Sequence, residues 1–120
     1  MIQQLHVTLA QTTVLYFALV GVWGVFLAIR RAPFDAAFRG ALIIGVGLGV
    51  VQALVGVLLL VTSGRGPRDD LHYLYGLSVI VALPLAHQLM GRREVSRVVV
   101  YGLTALFTMG LALRAITTGA

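Results

Sequence analysis

Cysteine and lysine are both missing from this chain of 120 residues, and acidic side chains number only four. Without cysteine there are no disulfide staples, thiolate metal sites, iron–sulfur clusters or cysteine nucleophiles. Charge of either sign is scarce, at 11% of residues, where a soluble domain carries about a quarter. The acids Asp35, Asp69, Asp70 and Glu94 all fall between the apolar runs rather than inside them. No carboxylate pair, proton relay or buried counter-ion is therefore available within those runs, which argues against proton-coupled antiport. No Ser/His/Asp arrangement, glycine-rich phosphate loop or carboxylate-bearing metal cluster can be assembled either.

What the chain does have is apolar surface: 59% of its residues are hydrophobic and the mean hydropathy is +0.97. A water-soluble chain of this length could not hide so much in its interior. The net charge of +5 comes from arginines, but they sit in short clusters between apolar runs, not on one face. That pattern is not a nucleic-acid footprint.

A bilayer core of about 30 Å takes roughly 20 helical residues, and the chain supplies that length four times, over 5–29, 40–62, 71–91 and 95–117. Runs such as Val57-Leu58-Leu59-Leu60-Val61 do not alternate as barrel strands must. The expected fold is an all-α up-down antiparallel bundle of four transmembrane helices in a single domain, 1–120. Loops of at most ten residues make consecutive helices neighbours. Met1-Ile2-Gln3-Gln4 lacks the basic start of a signal peptide, so the first run reads as a retained span. Loop one with Arg30, Arg31 and Arg39, and loop three with Arg92, Arg93 and Arg97, carry more arginine than loop two with Arg65 and Arg68. The positive-inside rule then puts loops one and three in the cytoplasm and both termini outside, in what is expected to be a prokaryotic cytoplasmic membrane.

At 100° per residue, His6, Ala10, Thr13, Phe17, Gly21, Gly24 and Ala28 form one stripe. Ala41, Gly45, Gly49, Gln52, Gly56 and Ser63 form another, His72, Gly76, Leu83 and His87 line up in the third span, and Gly102, Ala105, Met109 and Ala112 in the fourth. Small-residue stripes pack membrane helices closely. The faces bearing Gly21, Gly24, Gly45, Gly49 and Gly56 are therefore candidates for contact with other membrane subunits. Pro84 should free the carbonyl of Ile80 and kink the third span. Tyr73, Tyr75 and Tyr101, near span ends, read as interface anchors.

The histidines are the groups suited to chemistry. His6 opens the first span and His72 the third. Those spans run parallel and lie diagonally in an up-down bundle, so two inward imidazoles would face each other. That is the arrangement of a bis-histidine haem. Arg65, Arg68 and Arg114 are expected at the same end, where they could pair with haem propionates. His87, toward the other end, has no second histidine at its level and reads as interfacial.

The stretch from Gln52 through Gly56 and Thr62 to Gly64, a short loop and then His72 at a helix start resembles one half of a haem A synthase. His6, in Leu5-His6-Val7, occupies the place of that half's partner histidine. The resemblance covers roughly residues 3–90 and implies a haem b with His6 and His72 as axial ligands. The family's glutamate before the first histidine is Gln3 here, its following arginine is Val7, and its extracellular cysteines are absent. Those departures weigh against haem A synthesis itself, and no catalytic residue is assigned. The expectation is a haem b protein of electron transfer, a small subunit of a respiratory or photosynthetic redox complex. A cofactor-free accessory subunit and a small transporter or channel homo-oligomer are the alternatives.

Overall fold

The computed structural model describes residues 1–91 and 96–120. Four helices follow in order: α1 (Ile2–Ile29), α2 (Ala36–Ser63), α3 (Leu71–Met90) and α4 (Arg97–Gly119). Each is long and apolar enough to cross a membrane, and no strand occurs among the described residues. The fold is the expected all-α bundle. The loop-three residues Arg92, Arg93 and Glu94, and Val95 at the expected start of the fourth span, lie outside the described residues.

Local chemistry sets the helix ends. The Asp35 carboxylate accepts from the Phe38 backbone N–H at 2.8 Å, satisfying one of the free donors of the first turn. That cap adds a turn to α2 ahead of the apolar run, which is why the helix begins before residue 40. Gly64 closes α2 in the left-handed conformation (φ +68°), with its N–H on the Leu60 carbonyl. A residue without Cβ adopts this geometry at little cost. Ser96 caps α4 through its hydroxyl to the Val99 N–H. The second loop is tied down by the Asp69 N–H, which donates to the Thr118 carbonyl at 2.9 Å.

The helices form a ring in which α1 touches α2 and α4, and α3 touches α2 and α4. α1 and α3 are thus diagonal, as the short loops require. The α1–α4 seam is the most extensive and the α2–α3 seam the least. The bundle is 48 Å long, longer than the hydrocarbon core of about 30 Å, so its helices must tilt or project into the headgroup layers. Its outer surface is apolar: Leu19, Ile29, Val61 and Leu89 are each more than two-thirds exposed. In lipid such a belt is at no disadvantage, and close packing holds the bundle instead.

That packing uses the small residues, within the chain. A Cβ on Gly24 would stand 2.7 Å from the Cα of Gly102, and one on Gly21 2.5 Å from the Leu106 side chain. Gly45 lies under the Phe17 and Tyr16 rings, Gly49 against Val79, and Gly56 against the His6 ring. The five glycines expected to receive other subunits are therefore taken up by this chain's own helices. The physical reason is that the same stripe that suits a partner helix suits a neighbour joined by a short loop, which is already at hand. The core gathers around Phe17, Phe38, Leu42, Val79, Leu83 and Tyr101, all buried.

Candidate functional site

His6 and His72 enter from opposite sides of the ring of helices. α1 places His6 in its second turn, facing α2. The Gln52 side-chain amide on α2 donates to the His6 carbonyl at 3.0 Å, which ties the start of α1 to α2. α3 places His72 in its first turn, facing α4, where the ring nitrogen Nδ1 lies 2.7 Å from the Ala115 carbonyl oxygen. A carbonyl can only accept, so Nδ1 carries a proton, and in the neutral ring Nε2 then has the lone pair. The two imidazoles meet with ring centroids 6.0 Å apart and planes inclined at 72°. The length offset between α1 and α3 does not keep the rings apart.

The surroundings of these rings are tight on one side and unfinished on the other. Ring atoms fill the gaps left by two glycines: a Cβ at Gly56 would lie 2.9 Å from His6 Cε1, and one at Gly119 2.6 Å from His72 Nδ1. Meanwhile His6 Nδ1 and Gln52 Oε1 are buried without a hydrogen-bond partner. Buried polar atoms left unpaired cost about 1–3 kcal/mol each, and such exceptions ask for an explanation. A metal–imidazole bond is about 2 Å long, so two imidazoles sharing one metal place their ring centroids roughly 6 Å apart. Donor type and ring separation are those of two imidazoles on one iron, while the 72° inclination is also that of an ordinary edge-to-face ring contact. The Nδ1–H to carbonyl contact of His72 is also the outer contact that usually orients a ligating histidine.

The arginines assigned to propionates lie toward this end of the chain. Arg114 places its guanidinium 5.5 Å from the centroid of the Tyr75 ring, one residue before the Ala115 carbonyl that holds His72. Arg65 and Arg68 are exposed in the second loop. None of the three hydrogen-bonds to either imidazole.

The opposite end holds a pair that sequence reasoning missed. His87 Nδ1 is 2.6 Å from the Tyr101 hydroxyl, and the rings are stacked at an interplanar angle of 18°. Tyr101 is buried at 6% exposure, packed also against Phe34, so it is not an interface anchor. A signal for the pair was present: an antiparallel register that sets His72 beside Ala115 brings His87 opposite the turn holding Tyr101.

Comparison with known proteins returns nothing similar: no family model, curated protein or solved structure matches this chain. The likeness to a half-bundle of haem A synthase rests on the residues quoted for it.

Proposed function

We propose that this chain is an integral-membrane haem b protein that passes electrons as a small subunit of a respiratory or photosynthetic redox complex. The observation that carries the reading is the facing pair of imidazoles 6.0 Å apart, on parallel diagonal helices, with the proton of His72 drawn to a backbone carbonyl. His6 and His72 would hold the haem iron through their imidazole nitrogens. Arg65, Arg68 and Arg114 supply the positive charge for propionates at that end. Haem, when bound, supplies a reversible one-electron change at its iron. The chain's own part is to hold two neutral imidazoles in place, keep water from them with apolar helices, and set the potential through those surroundings. The arginine bias of loops one and three puts the imidazole end on the outer side of a prokaryotic cytoplasmic membrane.

The test is the absorption spectrum of the purified, dithionite-reduced protein after expression with ample haem. A b-type spectrum is expected, and it should be lost in both His6→Ala and His72→Ala while the bundle still elutes as folded protein. A colourless, folded wild type would sink the proposal.

A second reading is favoured by the fit of Gly56 and Gly119 around the two rings. Packing that close is what a finished helix contact looks like, and a porphyrin would have to part α2 and α4 to enter. On this reading the chain is a cofactor-free accessory subunit, and a colourless preparation that co-purifies with other membrane subunits is its signature.

A further inference from the structure

The least extensive seam of the bundle, between α2 and α3, opens near the first and third loops into a groove of about 640 Å³. That volume falls among ligand sites, which run from about 300 to 1,000 Å³. Its mouth is polar and its floor is not. Arg39 from the first turn of α2 and Arg97 from the first residue of α4 stand at the mouth with His87 and Tyr101. Ile43, Val46, Gly47, Leu83 and Pro84 line the rest.

The mouth offers hydrogen-bond donors. If the Tyr101 hydroxyl donates to His87 Nδ1, the other ring nitrogen of His87 bears a hydrogen. If Nδ1 donates instead, the Tyr101 hydroxyl keeps its own. Either tautomer leaves one donor of the pair uncommitted, beside two guanidinium groups. No carboxylate is among the described residues lining the groove. Such a mouth suits an anion, and guanidinium groups suit a phosphate in particular. Both arginines lie in the first turns of their helices, where a span of about 20 residues leaves the hydrocarbon core for the headgroups. Below them, Gly47 has no other atom within 4 Å of where its Cβ would be, and Ile43 is 61% exposed. An open, apolar channel running from a basic mouth toward the bilayer centre matches one occupant: a phosphate headgroup with its acyl chain.

We propose that the α2–α3 groove binds an anionic phospholipid of the leaflet bordering the first and third loops, its phosphate at Arg39 and Arg97 and one acyl chain along Ile43, Gly47 and Leu83. Basic pockets between membrane helices are a recurrent way of holding such headgroups.

The experiment extracts the full chain from vesicles of equal phosphatidylglycerol and phosphatidylcholine and counts retained lipid by native mass spectrometry. Phosphatidylglycerol should be retained in preference. Arg39→Gln and Arg97→Gln should each cut that preference by about fivefold, as expected for one basic side chain at a headgroup. Gly47→Leu keeps both arginines and meets no atom of the protein at its Cβ, so the bundle should fold as before, yet its side chain enters the groove. It should lower retention of phosphatidylglycerol with the thermal midpoint unchanged. Equal retention of the two lipids by the wild type overturns the proposal. So does a preference that survives both arginine variants. Displacement of the lipid by millimolar inorganic phosphate, with Gly47→Leu without effect, would assign the mouth to a free anion and also overturn it.

Discussion

The two ends of this bundle are built on opposite terms. At the end bordering the first and third loops, Trp23, Phe34 and Phe38 meet edge to face with centroids between 5.2 and 5.9 Å, Tyr101 lies beside Phe34, and Phe38 is fully buried. At the end bordering the second loop the centre is two imidazoles, a side-chain amide and backbone carbonyls, with two buried polar atoms unpaired. One end is held by shape and the other by a few directional bonds. Proteins usually place rigidity in the first kind of region and function in regions of the second kind. The difference therefore teaches what each end can hold: the aromatic end is a packed anchor that opens to a ligand along the α2–α3 seam, and the imidazole end has the polar composition of a site.

The sharpest way to break this comparison is to hollow the aromatic end. Phe38→Ala removes a fully buried ring that touches Trp23, Phe34 and the Cβ space of Gly24. Lipid competes for apolar surface as well as protein does, so the loss is one of packing and cavity rather than of transfer from water. With the transfer part gone, the cavity alone is expected to cost about 2 kcal/mol, read as a fall in the denaturant midpoint in mild detergent. The haem absorption spectrum should keep its shape in whatever fraction stays folded. A loss under about 1 kcal/mol, small beside that cavity cost, would show that the anchor lies elsewhere.

How far the sequence announced these two ends follows from what each is made of. The four spans were legible because length and the scarcity of charge decide them, and the meeting of His6 with His72 followed from span direction plus diagonal placement. The inward stripe of α1 was close: Thr13, Phe17, Gly21 and Gly24 are buried as read, with Val20 added. The stripe of α3 was not. His72 and Leu83 face inward, but Val79 and Met90 are the other buried positions, and Gly76 meets nothing. On a helix apolar all round, periodicity has little contrast to work with. Tyr101 was misjudged for a related reason. Aromatic rings near span ends suit both an interface and a core, and only the register of neighbouring helices separates the two.

A smaller effect tests how far the aromatic end depends on the polar contact between Tyr101 and His87. Tyr101→Phe keeps the ring against Phe34 and removes the hydroxyl that lies 2.6 Å from His87 Nδ1. His87 is exposed, so its nitrogen can turn to water or headgroups. The expected loss is about 0.5–1.5 kcal/mol, the net worth of one hydrogen bond, measured by the same denaturation. A loss as large as that of Phe38→Ala would mean that this end, too, is held by direction rather than shape.

The smallest expected effect discriminates best at the imidazole end. Gln52→Leu deletes the amide that donates to the His6 carbonyl, but that carbonyl sits within α1 and keeps its own helical partner. The same change removes Oε1, a buried acceptor without a partner, whose desolvation the protein otherwise bears unrelieved. The two terms oppose, and a leucine of similar length restores the packing. The net change in stability should lie within about 0.5 kcal/mol of zero, since one modest bond is exchanged against one unmet acceptor. A loss above about 1.5 kcal/mol exceeds what a single neutral hydrogen bond contributes. That outcome would mean that Oε1 does have a partner in the working protein, a bound group lodged between α1 and α2 beside His6. Measured on haem-loaded and haem-free protein in parallel, a loss confined to the loaded form would put that group at the imidazoles, whereas an equal loss in both would put the stabilising contact in the chain itself.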